Sequence, residues 1–394
     1  MRAVQRAVFS VTDPQIAGAI ILGGSYGSLA VARSFGRQGI RVSYFSAVRS
    51  VAQYCRYVTH HVPWQGPGDL KALDALFAAA DRLGMNGWLL LPSGDAEVQF
   101  VARNFDALSE RFVLVTQDWA ALEPLNNKAQ LYRLADTLGI DYPRVHVDEV
   151  VDRPASEIRF PVVIKPSSTE KSNPLTKAKA WKAESAAEYV EKYALATQYM
   201  GKGGFVVQEL IPGDGESQFS YAGLWNHGVE VCGLTARRSR QFPAEFGTSP
   251  FVETSEQPRV LAEAQALLKA VHYHGLVEVE FKLDARDDRL KLLDVNTRIW
   301  AWIGLGAAAG LDFPVLAAAV ATATLPTDVK ASYGASWVRA VPNALSLLQS
   351  LQRTGNLGYA AGRSLSPFAG PAIFAFDDPV PALLELPIQV MRRL

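Results

Sequence analysis

Two alternating segments near residue 280 constrain the fold of this chain more than any other feature. Val277–Asp284 (VEVEFKLD) and Leu290–Arg298 (LKLLDVNTR) each alternate between apolar and polar residues, and a polar turn around Asp287 separates them. This pattern predicts an antiparallel β-hairpin with one face in the core and one polar face. The predicted core face contains Val279, Phe281, Leu293 and Val295.

The polar face of this predicted hairpin carries carboxylates and an amide. With the turn centred near Asp287, Glu280 lies opposite Asp294, and Glu278 lies near Asn296. Like charges directly across a strand pair repel each other, so a cation between them would stabilise the arrangement. Mg²⁺ prefers hard oxygen ligands and often shares its shell with nucleotide phosphates, so we predict a magnesium site. The alternative is an ordinary hairpin with a solvated acidic face.

Cationic side chains lie at the ends of several other predicted elements. Lys128 begins a helical pattern that ends at Gly139, Lys165 ends an apolar strand (FPVVIKPSS), and Arg298 ends the hairpin. Three arginines follow a further predicted strand: Arg237, Arg238 and Arg240. Lysine and arginine in such positions bind phosphate or carboxylate oxygens, although each lysine taken alone also fits a solvated surface residue.

A short apolar strand runs into a Pro/Gly turn at Gly204–Gln218 (GFVVQELIPGDGESQ). Glu209 and Glu216 lie near the end of that strand and in the turn. Such a segment can offer backbone groups to an adenine ring and a carboxylate to ribose hydroxyls.

The order of these parts resembles that of the ATP-grasp superfamily. The resemblance covers about Met1 to Leu325 and rests on the segments FPVVIKP, VVQELIPGDGES, GLVEVEFKLD and KLLDVNTR. It is greatest to the predicted ATP-dependent carboligases, the carboxylate–amine ligase branch related to D-aspartate ligase and to the large chain of carbamoyl phosphate synthase.

The resemblance implies a role for each matching position. It implies contacts with the ATP phosphates at Lys128 and Lys165, and an adenine hinge formed by Gln208, Glu209, Leu210 and Ile211. It implies a ribose contact at Glu216 and Mg²⁺ or Mn²⁺ ligands at Glu280, Asp294 and Asn296. It implies that Arg298 contacts the transferred phosphoryl group or the acyl phosphate, and we add Arg238 and Arg240, from the arginine run, as predicted catalytic residues.

This chain departs from the family pattern in two segments. The hairpin ends in Asp-Val-Asn-Thr-Arg instead of Glu-Val-Asn-Pro-Arg, and the shorter carboxylate leaves open whether one or two metal ions are bound. The phosphate loop, Ser167–Lys179, is longer and richer in lysine than in many members. Which of Lys171, Lys177 and Lys179 contacts phosphate therefore stays open.

The amino-terminal segment Ala17–Ser46 predicts a strand, a glycine turn, a helix and a strand, the beginning of a doubly wound α/β unit. A dinucleotide site is disfavoured, because Ser25 and Ser28 replace two fingerprint glycines and the second strand does not end in Asp or Glu. In the resemblance, this segment helps to line the pocket of the non-nucleotide substrate. The predicted substrate contacts are Gly24, Ser25, Tyr26, Asp95 and Arg237. Asp95 follows the strand of a second α/β unit, and its alternative role is to cap the next helix.

Composition fits a large enzyme and disfavours several classes of partner. The 394 residues contain 39 Lys plus Arg and 39 Asp plus Glu, so no net charge favours nucleic acid. Two cysteines cannot form a disulfide framework or a paired-cysteine zinc site. We expect no signal peptide, because the first apolar run, Ala7–Val11, is short. We expect no transmembrane segment, because the longest apolar run, Pro314–Leu325, is too short to span a bilayer. A cytoplasmic location is the resulting expectation.

The predicted fold class is α/β (α+β), with a doubly wound domain preceding a two-lobed ATP-grasp fold. The predicted domains are residues 1–118, residues 119–330 (lobes of about 119–200 and 201–330) and an extension, residues 331–394. In the extension we expect a helix near Asn343–Gln352 and an amphipathic ending that packs on the body. The alternatives for that ending are a membrane surface or a partner subunit.

The predicted function is an ATP-dependent carboxylate–amine ligase that forms an amide through an acyl phosphate and releases ADP and phosphate. Its predicted partners are small-molecule carboxylate and amine substrates, and a homodimer is left open. The alternatives are a non-catalytic ATP sensor or an ATP-grasp kinase, and less favourably an NAD-dependent dehydrogenase. The sequence does not identify the carboxylate or the amine, because specificity lies in pocket residues.

Overall fold

Three β-sheets follow one another along the chain. The computed structural model describes residues 16–148, 150–167, 173–213, 215–243, 246–326, 328–354 and 369–391. Lys171 of the phosphate loop and the last two arginines, Arg392 and Arg393, lie outside these residues.

The first sheet is parallel and doubly wound, as predicted. Its strands are β1 (Ala19–Leu22), β2 (Val42–Phe45), β3 (Val58–Val62), β4 (Leu89–Pro92) and β5 (Val113–Leu114), in the order β3-β2-β1-β4-β5. Its helices are α1 (Tyr26–Arg37), α2 (Ala72–Leu83), α3 (Asp95–Arg103) and α4 (Phe105–Ser109). Gly23 and Gly24, with φ of 67° and 76°, form the turn between β1 and α1. Because β1 and β4 pair in parallel, the first residues of α1 and α3 follow the same edge of the sheet, where open α/β sheets bind ligands.

The second sheet has four antiparallel strands in the order β6-β9-β7-β8. These are β6 (Val145–Val147), β7 (Val162–Pro166), β8 (Trp181–Ala183) and β9 (Phe205–Glu209). The helices of this region are α5 (Trp119–Asn126), α6 (Lys128–Thr137), α7 (Pro174–Ala178) and α8 (Ala186–Met200). Asn127 begins α6, because its side chain accepts hydrogen bonds from the backbone N–H groups of Ala129 and Gln130.

The third sheet has seven strands in the order β14-β13-β10-β11-β12-β15-β16. These are β10 (Gln218–Asn226), β11 (Val229–Arg237), β12 (Phe251–Thr254), β13 (Gly275–Asp284), β14 (Arg289–Asn296), β15 (Ser336–Val338) and β16 (Ala369–Pro371). The helices are α9 (Pro258–Ala270), α10 (Gly304–Ala308), α11 (Phe313–Ala321), α12 (Ala340–Thr354) and α13 (Val380–Met391). The predicted hairpin is thus β13 and β14, at one edge of this sheet.

Residues beyond 330 contribute to the sheet and also return to the first domain. β15 pairs with β12, and β16 pairs with β15. Just before α13, Asp378 forms a buried ion pair with Arg33 of α1, with the Nε–Oδ2 distance at 2.9 Å. Ile388 of α13 is buried in the largest hydrophobic cluster and Leu384 packs against it, whereas Leu383, Val390 and Met391 are exposed. Part of the amphipathic ending therefore packs on the body.

The largest cluster joins the first and third sheets. It contains Ile21 and Leu29 from the first domain together with Leu224 and Trp300 from the last. Burial of these side chains fixes the two parts against each other and places the amino end of α3 beside the end of β14. No described helix combines the length and the hydropathy that spanning a bilayer requires.

Candidate active site

The hairpin pairs in the predicted register. Glu280 is opposite Asp294, and Glu278 is opposite Asn296. The Asn296 amide donates to Glu278 at 3.0 Å and to Glu280 at 2.9 Å. The acidic and amide oxygens therefore share one face, as the alternation of the sequence indicated.

The prediction that Leu293 lies on the core face is wrong. The register shifts between Glu280 and Phe281, so that Phe281 pairs with Leu292. Leu292 is fully buried with Phe281 in the core, whereas Leu293 lines the cavity described next. A β-bulge inserts one extra residue into a strand, and this bulge breaks the period of two immediately before Asp294.

A cavity of about 720 Å³ lies against the polar face of the hairpin. Side chains from the second and third sheets and from helices α1, α3, α5, α6 and α7 line it. The predicted site residues in its wall are Tyr26, Asp95, Lys128, Lys165, Gln208, Glu209, Leu210, Ile211, Arg238, Glu280, Asp294, Asn296 and Arg298. Most of the residues predicted from the sequence thus meet in one cavity of the size that holds a small ligand.

Lys128 neutralises one of the two facing carboxylates. It is the first residue of α6, and its Nζ lies 2.7 Å from Asp294 Oδ2. The Lys128 side chain is only 14% exposed, so this pair is screened less than a surface pair.

Lys165 is a second ammonium group in the same wall. It lies on β7 between the buried residues Ile164 and Pro166. Burial, reinforced by the charge of Lys128, lowers the pKa of Lys165 to about 8. At neutral pH, Lys165 is therefore still cationic, in surroundings that favour an additional anion.

Arg238 neutralises the second facing carboxylate. Its Nη1 is in close contact with Glu280 Oε2. Burial alone would raise the pKa of Glu280, but Arg238, Asn296 and Lys128 together outweigh that effect and the pKa is lowered. Burial and the neighbouring Glu280 raise the pKa of Glu278 to about 7, and Trp302 Nε1 donates to Glu278 at 2.8 Å. Glu280 is therefore the charged member of the pair.

Arg298 links the hairpin to the first domain. Its Nε donates to Asp95 Oδ1, and its Nη2 donates to Asn296 Oδ1 at 3.1 Å. Asp95 is the first residue of α3, but Gly94 occupies the cap position, so the Asp95 carboxylate pairs with Arg298 instead of capping the helix. Burial opposes ionisation of Asp95, yet Arg298 lowers its pKa.

Of the predicted hinge residues, Gln208 and Glu209 end β9, and Leu210 and Ile211 follow it. The backbone N–H of Glu209 donates to Arg144 O at 2.9 Å, and that of Leu210 donates to Pro161 O at 3.2 Å. Tyr132 donates to the Gln208 side chain at 2.8 Å and so fixes it away from solvent. Because these groups are occupied, any backbone N–H for an adenine must come from Ile211 or beyond.

Five predicted site residues lie outside the cavity wall: Arg237, Arg240, Glu216, Gly24 and Ser25. Arg237 ends β11, and since successive residues alternate faces, it points away from Arg238 and lies over the Phe219 ring at 5.4 Å. Glu216 is exposed and attracts Arg240. Gly24 packs against Ser93, where a Cβ atom would lie 2.1 Å from the hydroxyl oxygen. Of the lysines left open in the phosphate loop, Lys179 lines the cavity, and Lys177 is not in its wall.

Several lining residues were not predicted from the sequence. Lys282 lies on the same face as Glu280, and the period of two in β13 was a sufficient signal to find it. Trp302, Trp337 and Arg339 also line the cavity. The last two lie on and just after β15, and no local pattern connects that strand to the hairpin.

The donor set of the hairpin suits a metal ion that shares its ligands with a nucleotide. Within the described ranges, no group of three or more His, Cys, Asp and Glu side chains is arranged to hold a metal ion by itself. Glu280, Asp294 and Asn296 instead provide two carboxylates and an amide, and Mg²⁺ typically uses one or two carboxylates together with phosphate oxygens. The residues present therefore fit such an ion.

Comparison with solved structures identifies the fold. An L-amino acid ligase from Bacillus licheniformis superposes with a TM-score of 0.60 and 17% identity, covering 77% of this chain and 74% of that one. The biotin carboxylase domain of 2-oxoglutarate carboxylase from Hydrogenobacter thermophilus, a dimer solved with MgADP and bicarbonate, gives 0.61 and 13%, covering 82% and 74%. These neighbours are ATP-grasp proteins. The chain has the ATP-grasp fold.

A third neighbour with the ATP-grasp fold superposes on a similar fraction of this chain. N5-carboxyaminoimidazole ribonucleotide synthetase from Thermus thermophilus gives a TM-score of 0.59 at 16% identity, covering 80% of this chain and 81% of that one. No protein-family model and no curated protein sequence matches the chain. The ATP-grasp fold confirms the fold class that the sequence predicted.

Proposed function

We propose that this ATP-grasp chain is an ATP-dependent carboxylate–amine ligase that forms an amide through an acyl phosphate. The observation that carries the proposal is the pairing of Asp294 with Lys128 and of Glu280 with Arg238, beside Lys165, in one cavity. Carboxylates facing ammonium and guanidinium groups can exchange these partners for a metal ion and for phosphate oxygens. The ligases and carboxylases among the structural neighbours support an ATP-dependent ligase in general.

The nucleotide would lie between the second and third sheets. Glu209, Leu210 and Ile211 would face the adenine, and Lys128 and Lys165 would hold the phosphates. Glu280, Asp294 and Asn296 would bind Mg²⁺ or Mn²⁺, which supplies positive charge to the β- and γ-phosphates. The ribose contact of Glu216 stays a prediction, as do the substrate contacts of Gly24, Ser25 and Arg237.

The reaction would proceed in two balanced steps. A substrate carboxylate oxygen attacks the γ-phosphorus, the bond to the bridging oxygen breaks, and ADP leaves with that electron pair. The amine then attacks the acyl carbon, inorganic phosphate leaves, and the amine loses a proton. Arg298 and Arg238 would compensate the charge on the transferred phosphoryl group and on the tetrahedral oxyanion.

The test measures ADP release and hydroxamate formation with a panel of amino acids and small acids, using hydroxylamine as the amine. We expect ADP release only with an acid that also yields a hydroxamate. Arg298→Ala should lower hydroxamate formation by about 100-fold to 1000-fold while changing ATP affinity little. The matched control is Arg289→Ala, on the same hairpin, where the side chain is 61% exposed and pairs with Asp141.

Other outcomes select the alternatives. ATP binding without acid-dependent ADP release would make the chain a nucleotide sensor. Transfer of the phosphoryl group to a hydroxyl compound would make it a kinase. Normal hydroxamate formation by Arg298→Ala would refute the role assigned to this arginine.

A further inference from the structure

Part of the cavity wall is formed by side chains to which the proposed chemistry gives no role. These side chains are Trp302, which follows β14, Trp337, which lies on β15, and Arg339, which lies just after β15. Arg339 contacts Tyr26 at the start of α1. We refer to Tyr26, Trp302, Trp337 and Arg339 as the Arg339 wall. It combines apolar ring surface with one guanidinium group.

The Arg339 guanidinium is held in a fixed position. It lies 3.9 Å from the centre of the Tyr26 ring, and its Nη2 donates to the Tyr26 hydroxyl at 2.7 Å. Its Nη1 lies 3.4 Å from Thr248 Oγ1. Stacking and hydrogen bonding from two directions pre-organise the planar group, which lowers the entropic cost of binding an anion.

The charge of Arg339 is incompletely compensated by the protein. The carboxylate that faces it, Glu385, lies at 4.0 Å, outside hydrogen-bonding distance. Glu385 accepts hydrogen bonds from Gln389 at 3.0 Å and from the Tyr26 hydroxyl at 3.4 Å, and within the described residues Arg339 Nε is buried without a partner. A largely buried cation whose counterion lies at 4.0 Å can take a second anionic partner from the cavity beside it.

The aromatic members of the wall offer mainly apolar surface. Trp302 uses its N–H for Glu278, so the remainder of its ring is what a ligand can contact. Trp337 is also largely buried, and its side chain lines the cavity. Ring surface beside a cation suits an organic anion with an apolar body better than it suits a small inorganic anion.

Arg339 is separate from the groups assigned to phosphoryl transfer. Its contacts are Tyr26, Thr248 and Glu385, whereas Arg298 contacts Asp95 and Asn296. In the proposed reaction, the carboxylate that is activated would lie beside Arg298. A carboxylate held by Arg339 would therefore stay unreacted.

We propose that the Arg339 wall binds a free carboxylate on a substrate with an apolar body, so that the amide product retains that carboxylate. This inference rests on the proposed function, and it specifies the substrate class of the same cavity. Two sources share this chemistry. The carboxylate can belong to the amine substrate, as in an amino acid, or to the acid substrate, as in a diacid of which only one carboxyl group is activated.

The experiment measures binding by calorimetry in the presence of MgADP, with two pairs of probes. L-Phenylalanine and phenethylamine differ by the carboxylate of an amine, and phenylsuccinate and 3-phenylpropanoate differ by the second carboxylate of an acid. In one of these pairs we expect the member with the additional carboxylate to bind at least about tenfold more tightly. The pair that shows the preference identifies the source.

Arg339→Gln should abolish that preference, whereas Arg289→Gln, an exposed arginine on the hairpin, should retain it. Arg339→Lys should lose most of the carboxylate preference, because an ammonium group cannot reproduce the planar, forked hydrogen bonds of a guanidinium group. This variant replaces Arg339→Gln in the test if Arg339→Gln folds poorly. Absence of a preference in both pairs, or an unchanged preference in both Arg339 variants, would overturn the proposal. Failure of the wild-type protein to bind MgADP would instead count against the proposed function. The probe pairs can also be compared without nucleotide, so the carboxylate preference is tested separately from nucleotide binding.

Discussion

At the scale of single residues, charge compensation organises the candidate site. Asp294 pairs with Lys128, Glu280 with Arg238, and Asp95 with Arg298. Each pair joins groups that are far apart in sequence, so folding itself places the opposite charges together. When the proposed ATP and metal ion bind, they would therefore replace these protein counterions, and the site would have no large unpaired charge before or after binding.

Asp294→Asn and Glu280→Gln should each lower turnover by about 100-fold or more, because each removes a charged metal ligand but almost no volume. Because each substitution also removes the counterion of Arg238 or Lys128, we expect both variants to melt below wild type but to remain folded at the assay temperature. The control is Asp288→Asn, the same chemical change in the exposed turn of the hairpin, where the carboxylate is 84% exposed. Full activity in either site variant, measured by ADP release, would refute the metal assignment.

The affinity for ATP should fall as the pH rises through about 8. Burial lowers the pKa of Lys165 to about 8, so this lysine is protonated and attracts phosphate below that pH, and is neutral above it. The measurement is kcat/KM for ATP between about pH 6.5 and 9.5. Lys165→Arg should move the decline to higher pH, because arginine stays charged. A flat profile for wild type would contradict this assignment.

Single residues differ in how far the sequence could predict them. Glu280, Asp294 and Asn296 were predictable, because strand alternation alone puts them on one face. Arg339 was not predictable, because its position depends on the pairing of β15 with β12, about 85 residues earlier, and sequence patterns do not encode such distances. Arg237, Arg238 and Arg240 were all predicted, and of these three Arg238 lines the cavity, since three nearby arginines give no information about the exact end of a strand.

At the scale of elements, the bulge in the hairpin determines which leucine is structural. Leu292 is fully buried among core residues, whereas Leu293 lines the cavity and its carbonyl oxygen accepts from Tyr132 at 3.3 Å. The hairpin itself was predictable from its two alternating segments. The bulge was not predicted, although Leu292-Leu293 interrupts the alternation, because two adjacent leucines do not show which of them faces the core.

Leu292→Ala should destabilise the protein by about 2–5 kcal/mol, since it leaves a cavity in a packed core. Leu293→Ala is its matched control and should cost less than half as much, because this side chain contacts the open cavity. Denaturant unfolding of the two variants provides the comparison. Equal losses of stability would show that Leu293 also packs in the core.

At the scale of the whole molecule, the last described segment holds the first domain. Asp378 accepts from Arg33 through its side chain and its backbone, and its other carboxylate oxygen accepts from the Arg56 backbone. The neighbouring Asp377 pairs with Arg37, but both of those side chains are partly exposed. Two consecutive residues just before α13 thus form one exposed and one buried ion pair.

Asp378→Ala should cost about 3–5 kcal/mol, because it leaves the buried Arg33 guanidinium without its carboxylate. Asp377→Ala should cost about 1 kcal/mol or less, as expected for an exposed pair. Thermal and urea unfolding of both variants tests the difference. A small effect of Asp378→Ala would show that Arg33 is solvated or finds another acceptor.

The ion pair of Arg33 with Asp378 can form only late in the synthesis of the chain. The two residues are 345 positions apart, and a ribosome that adds about 5–20 residues per second needs roughly 20–70 s to cover that distance. During that interval α1 has left the ribosome, while the carboxylate that neutralises its arginine does not yet exist. The first α/β sheet and its helices are therefore synthesised before the ion pair that stabilises α1 can form. They reach their final stability only after the segment that contains Asp378 has been synthesised.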